Sequence, residues 1–231
     1  SVLPLKQLVY GSADGARTVH TENERLNAKM EEAGKLLNIK PHRVGGDHVM
    51  LHTCADIEGH EGKDGKHYLL DFARVAPAQP ITHDSPPGAL LYRLLRMEFV
   101  RQCPWPLSND AFSAMGRHDS VLHNGDVRRA YALLQESVIP QCSMAVDQQC
   151  QSWSSDEGVA LANATATWHR ATSDAATAKA LVQLDELQQL LHHRGVNLRM
   201  IGDVRRHCKH RTARQLLLVE AIARVAKNNV R

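Results

Sequence analysis

The run Asp64-Gly65-Lys66-His67-Tyr68-Leu69-Leu70-Asp71-Phe72-Ala73-Arg74-Val75 constrains the fold more than any other stretch of the chain. An Asp-Gly pair favours the tight turn of a hairpin, and the aromatic and aliphatic residues behind it read as the return strand. The outgoing strand is expected over Val49–Ile57. On a period of two, His67, Leu69, Asp71, Ala73 and Val75 share one face, while Tyr68, Leu70, Phe72 and Arg74 share the other. Both faces are largely apolar, so the strand is expected to be interior. Asp71 and Arg74 then each require a partner, because an unpaired buried charge is expensive. An arginine such as Arg93 or Arg96 is the expected partner of Asp71.

Around this hairpin the chain alternates short strands with helices. Gln7 to Tyr10 reads as a strand, and Gly11 to Ala16 as a loop of small residues whose backbone amides could face an anion. Its spacing is not that of a P-loop. Thr21 and Glu24 form a capping box for a helix over about 22–37, which Asn38 and Pro41 end. Four prolines between Ala76 and Gly88 predict a loop. Helices are expected over about 89–101 and 126–138, with Pro140 kinking or ending the second, and an exposed loop over 152–158. Ser173-Asp174 starts a further helix striped by Leu181, Leu184, Leu187 and Leu191 and stopped by Gly195. Thr212 and Gln215 cap the last helix, whose residues Leu216, Leu218, Val219, Ile222, Ala223, Val225 and Ala226 make a wide face expected to be buried. The fold class is therefore α+β. An antiparallel sheet built on a central hairpin is packed by helices, and the C-terminal half is mainly helical. One domain over 1–231 is expected, with a sub-boundary near 76–88 as the alternative.

Five cysteines without Cys-x-x-Cys spacing indicate neither a disulfide framework nor a zinc knuckle, and fit a reducing compartment. No apolar stretch reaches the length of a membrane span, so membrane insertion is not expected. No signal-peptide pattern stands at Ser1, and the absent initiator methionine suggests a processed or excised product. The net charge of +3 is unevenly placed. From Arg199 to Arg231 nine Lys or Arg face only Asp203 and Glu220, a net +7, which leaves −4 on the rest. Within it, Arg205, Arg206, His207, Lys209, His210, Arg211 and Arg214 place seven potential cations in ten residues, denser than the solvated face of an ordinary helix. Arg205, Arg206, Lys209, Arg211 and Arg214, with Arg199, form the candidate RNA- or anion-binding set, which would neutralise phosphates without reading sequence. No aromatic platform accompanies them.

Other chemistry is weakly signalled. His52 with Cys54, and His207-Cys208 with His210, lack the paired spacing of structural zinc, so no metal is expected. Ser12, Ser108 and Ser113 lack a nucleophile-elbow context. The ending Leu-Leu-Asp-Phe-Ala faintly resembles the metal-binding aspartate segment of kinase-like phosphotransferases. In that alternative Asp71 would hold Mg²⁺ near a nucleotide pocket, in an active or degenerate domain.

Several separated motifs carry a stronger resemblance. Tyr10-Gly11-Ser12 with Thr18-Val19, Ala33-Gly34-Lys35, the Asp64–Arg74 run, Leu91-Tyr92-Arg93-Leu94-Leu95-Arg96 and Glu98-Phe99-Val100 follow one another with the order and spacing of the conserved domain of the clustered mitochondria (Clu) proteins. Gly195 to Arg199 with Gly202, followed by a helix ending Ala226-Lys227-Asn228, resembles that family's closing segment. Met97, the Ala76-Pro77-Ala78 run and Met200-Ile201 depart from the pattern, and 119–172 has no counterpart. The resemblance marks Tyr10, Gly11, Ser12, Asp64, Gly65, His67, Asp71, Arg74, Arg96, Asn197 and Gly202 as motif residues. It implies a non-enzymatic scaffold module without cofactor, excised from a longer protein, in the cytoplasm or at the mitochondrial surface. It also implies a role in mitochondrial distribution and biogenesis, and association with messenger RNA, ribosomes and the other domains of the same protein.

Overall fold

A computed structural model describes residues 4–153 and 175–229. The chain divides into two compact units, 1–132 and 133–231, so the division falls beyond the proline-rich segment that was the alternative to a single domain. The fold is α+β, with the strands in the first unit and the C-terminal half mainly helical, as expected.

In the first unit, β1 (Leu5–Gly11), β4 (Glu58–Gly62) and β5 (His67–Leu70) form an antiparallel sheet in the order β1-β4-β5. The Asp-Gly hairpin exists: Gly65 adopts φ +74°, and Asp64 Oδ1 accepts the Lys66 amide. Its outgoing strand is not Val49–Ile57, however, but β4, with Glu58 opposite Leu70 and Glu61 opposite His67. Val49–Leu51 is β3 and pairs instead with β2 (His42–Val44) in a separate two-stranded sheet. The central strand β4 reads Glu-Gly-His-Glu-Gly. A Cβ on Gly59 would lie 2.8 Å from both Tyr10 Cβ and Leu26 Cδ2, so the sheet packs against α1 (Glu24–Leu36) only because that position is bare. Gly11 is more tightly constrained: at φ +81°, a Cβ would stand 1.7 Å from the Ile57 carbonyl oxygen.

Asn23, rather than a Thr21–Glu24 box, caps α1, its Oδ1 accepting the Leu26 amide at 2.9 Å. Asn38 ends this region at φ +57° and donates from Nδ2 to the carbonyls of Val100, Cys103 and Trp105. Val9, Tyr10, Leu26, Met30, Val44, Leu51 and Ile57 form the core between sheet and helix. The helix expected over 89–101 breaks into α2 (Ala89–Tyr92) and α3 (Met97–Gln102). Between them, Arg93 to Leu95 pairs with the proline-rich arm: the Gln79 amide donates to Arg93 O and the Leu95 amide to Pro77 O. Proline lacks an N–H but keeps its carbonyl, so the arm can accept along this edge. The next helix, α4 (Ser120–Leu133), starts six residues before the expected Asp126.

The second unit holds a π-helical turn (Leu134–Val138), α5 (Ile139–Gln151), α6 (Ala175–His193), a 3₁₀ turn (Leu198–Met200), α7 (Ile201–His207) and α8 (Arg211–Asn229). Pro140 does not end the helix. It sits in the first turn of α5, and the preceding turn closes with the Ile139 amide donating five residues back to Leu134 O, which accommodates the ring. Leu187 and Leu191 of α6 are buried, and Gly195 at φ +73° stops it, with the Val196 amide returning to Leu191 O. Ser173, Asp174 and the loop beyond Trp153 lie outside the described residues. Of the wide apolar face expected on the last helix only Leu216 is buried; Val219 is half-buried, Leu218, Ile222, Ala223, Val225 and Ala226 are exposed, and Leu217, outside that face, is buried instead. No helix among the described residues is long and apolar enough to cross a membrane.

Candidate functional site

The basic segment folds as a tight turn between α7 and α8, held from below by α5. Ser143 and Asp147 lie one helical turn apart on α5, both buried. Ser143 Oγ donates to Val204 O at 3.0 Å, and Asp147 accepts the backbone amides of Lys209 at 2.7 Å and His210 at 3.0 Å. A carboxylate on amides at the start of a helix satisfies donors that the helix itself leaves open. Burial and this carboxylate push the Cys208 thiol up to about 12, and burial with the same carboxylate does likewise for Cys150, so neither is a thiolate at neutral pH.

The six arginines and lysines expected to meet an anion divide into two kinds. Arg205 and Arg214 are half-buried and brace the turn. Arg205 Nε donates to Arg214 O at 3.0 Å, and Arg214 Nη1 donates to the carbonyls of Arg205 and Cys208, both at 3.2 Å. The Arg214 head thus satisfies carbonyls left open at the end of α7, and Arg205 reaches across to the first turn of α8. Arg199, Arg206, Lys209 and Arg211 are exposed, and Arg206 pairs with Asp203 one turn back on α7. Arg206, Lys209 and Arg211, with exposed His207, form the basic surface of the turn, while Arg199 lies in the 3₁₀ turn at the other end of α7.

In the first unit the charge expected at Asp71 lies elsewhere. The strand β5 stops at Leu70, and Asp71 is exposed at φ +56°, its Oδ1 3.4 Å from the Ala73 amide. It pairs with neither Arg93 nor Arg96; Arg96 binds Glu98 instead. Arg74 is the buried member of the run, and its partners are Asp56 (2.7 Å) and Asp110 (2.9 Å). Asp110, also buried, accepts from His42 Nε2 and the Ala55 amide, both at 2.8 Å. Burial alone would raise the Asp110 carboxyl, but the His42 hydrogen bond and the His42 and Arg74 charges outweigh it and hold the group below its usual range. The sequence reading missed His42, Asp56 and Asp110. No local spacing connects Asp110 to residues so far away in the chain.

The remaining motif residues are structural in the first instance. Tyr10 is buried, and its hydroxyl accepts the His52 amide at 3.1 Å. Ser12 Oγ accepts the Ala16 amide, while Asp14 Oδ1 accepts those of Arg17 and Thr18. These amides of the small-residue loop are therefore committed internally rather than offered to an anion. Such hydrogen bonds, with that from Ser12, hold exposed Asp14 down at about 2. His67 meets Asn23 at 3.1 Å. Asn197 caps the 3₁₀ turn by accepting the Arg199 amide, and Gly202 faces open space, with nothing to forbid a side chain there. Among the described residues no cluster of three or more His, Cys, Asp or Glu is placed to hold a metal ion.

Comparison with known proteins falls into two stretches of the chain. Residues 1–80 match the family model described as Clustered mitochondria. Residues 179–231 match the one described as Translation initiation factor eIF3 subunit 135, so the C-terminal segment read above as the first family's closing part falls within a second model. Curated relatives include the Clustered mitochondria protein of Arabidopsis thaliana, 42% identical over 73 residues, which are 30% of this chain and 5% of that protein. A Clustered mitochondria protein homolog of Culex quinquefasciatus is 39% identical, and Protein clueless of Drosophila persimilis 37%, each over 75 residues, 31% of this chain and 5% of theirs. The chain thus aligns with a small fraction of these relatives. No solved structure is a significant match. The resemblance carried by Tyr10-Gly11-Ser12 and the Asp64–Arg74 run therefore holds over residues 1–80, which are similar to the Clustered mitochondria family.

Proposed function

We propose that the chain is a non-enzymatic, cytoplasmic module of a longer protein concerned with mitochondrial distribution, and that the α7–α8 turn contacts the phosphate backbone of messenger RNA or ribosome-bound RNA. The observation that carries this reading is the exposed group Arg206, Lys209 and Arg211 at one turn, with exposed Arg199 ahead of α7, inside the stretch that matches a translation initiation factor model. Relatives of residues 1–80 bear the name Clustered mitochondria protein, which supports the mitochondrial part. Cations on a rigid turn, without an aromatic platform, suit sequence-independent phosphate contacts. The turn is rigid because Asp147, Arg205 and Arg214 hold it, so the exposed side chains start from fixed backbone positions. Filter binding of single-stranded RNA across a salt series tests the reading: affinity should fall steeply with salt, through these four residues.

A further inference from the structure

The first unit contains a cavity of about 670 Å³ that the RNA reading does not use. Three loops wall it: Gly15 to Arg17, the β2–β3 turn at Gly45-Gly46, and Ala114 to His118 ahead of α4. The loops are tied to one another and pre-formed. His118 Nε2 donates to Gly45 O at 2.6 Å, and Gly45 approaches the first loop so closely that a Cβ would stand 3.0 Å from Ala16 O. Met115 anchors the third, its amide donating to Ser113 Oγ and its sulfur receiving Arg74 Nη2 at 3.4 Å. Ala16 at φ +64° and His48 at φ +56° hold left-handed conformations that non-glycine residues take at a cost, one at the wall and one beside it.

The lining is cationic and contains no Asp or Glu. Arg17 and Arg117 are exposed, and neither guanidinium makes an ion pair among the described residues. The nearest acid of the first loop, Asp14, is committed to the Arg17 and Thr18 amides. His118 adds a third group able to carry charge, and its ring stacks on His48 with centroids 3.5 Å apart. Ala16, Ala114 and Met115 supply apolar surface in the same cavity. Two unpaired guanidiniums match the geometry of a phosphate better than that of a lone carboxylate or halide. The volume lies in the range of small-molecule sites and far exceeds what inorganic phosphate fills.

We propose that this cavity binds a phosphate monoester of mononucleotide size, with Arg17 and Arg117 on the phosphate and the Met115–His118 side against the organic part. Isothermal titration of the 231-residue chain with AMP, adenosine and inorganic phosphate at low salt tests it. AMP should bind saturably, adenosine should not, and inorganic phosphate should bind more weakly than AMP. The double variant Arg17→Ala, Arg117→Ala should weaken AMP by about tenfold or more, as loss of charge-assisted hydrogen bonds requires. Gly46→Glu keeps both arginines and points into open space, so it should weaken AMP by repulsion without disturbing the fold. The pair Lys209→Ala, Arg211→Ala should leave AMP binding unchanged, which separates this site from the RNA surface. Absence of saturable AMP binding, equal affinity in the Arg17, Arg117 variant, or inorganic phosphate binding as tightly as AMP would each overturn the proposal.

Discussion

Arg74 Nη2 lies 2.9 Å from Asp110 Oδ1, with the two side chains 2% and 0% exposed, and this ion pair anchors the first unit. Arg74 follows the last strand of the sheet, while Asp110 belongs to the loop ahead of α4 and also holds His42 of β2. One carboxylate therefore joins three segments that have no proximity in the chain. Asp110→Asn should cost about 3–5 kcal/mol, because it leaves buried Arg74 short of a counter-charge and disturbs the hydrogen bonds from His42 and the Ala55 amide. Urea unfolding measures this; a loss below about 1 kcal/mol would show that Asp56 alone neutralises Arg74.

The opposite outcome is expected at Asp71. It is exposed and left-handed, a conformation asparagine tolerates well, so Asp71→Asn should change stability by no more than about 0.5 kcal/mol. Asp71 lies outside the cavity walled by Arg17 and Arg117, and any response of Tm to ATP with Mg²⁺ should be the same in wild type and variant. A response present only in wild type would support the phosphotransferase alternative.

How far the sequence revealed this can be seen in the hairpin. The Asp64-Gly65 turn was legible because its chemistry is local. Its partner strand was not: Glu and Gly are poor strand formers, and β4 exists because β1 and β5 pair with it from both sides. Val49–Ile57 looked more strand-like, yet only Val49–Leu51 pairs, and Cys54, Ala55 and Ile57 are buried in irregular backbone. The basic cluster at 205–214 was visible as composition. Its division into braces and surface was not, since Arg205 and Arg214 find their carbonyls only once the turn has formed.

Acid should destabilise the first unit, with a window set by His123 and Asp110. His123 is buried, neither ring nitrogen has a hydrogen-bond partner among the described residues, and burial, then the neighbouring His42 charge, holds its pKa below the ordinary value. The unfolded chain therefore takes up the proton first, and stability should fall as pH drops below about 6.5. Asp110 acts in the same direction further down: its depressed carboxyl stabilises above about pH 4 and loses that contribution as pH falls through the folded value. Replacing His123 by Leu should flatten the upper part of the curve and leave the lower part. An unchanged upper slope would remove His123 from the account.

The two kinds of arginine at the α7–α8 turn should separate in stability measurements. Arg205→Ala or Arg214→Ala should cost about 1–2 kcal/mol, the low end for hydrogen bonds from a charged donor, because both are only half-buried. Lys209→Ala and Arg211→Ala should lie within about 0.5 kcal/mol of wild type. Thermal unfolding read by circular dichroism distinguishes them. Equal losses at all four positions would mean that the brace is not what holds the turn.

The most direct test of the functional reading is filter binding of single-stranded RNA to the 231-residue chain across a salt series. If Arg199, Arg206, Lys209 and Arg211 each displace one counterion, the logarithm of affinity should fall against the logarithm of salt with a slope of about −3. Replacing all four with alanine should weaken binding at low salt and flatten the slope toward zero, while Asp71→Asn leaves both unchanged. Equal affinity and equal slope in wild type and the fourfold variant would contradict the account and move any RNA contact away from these residues.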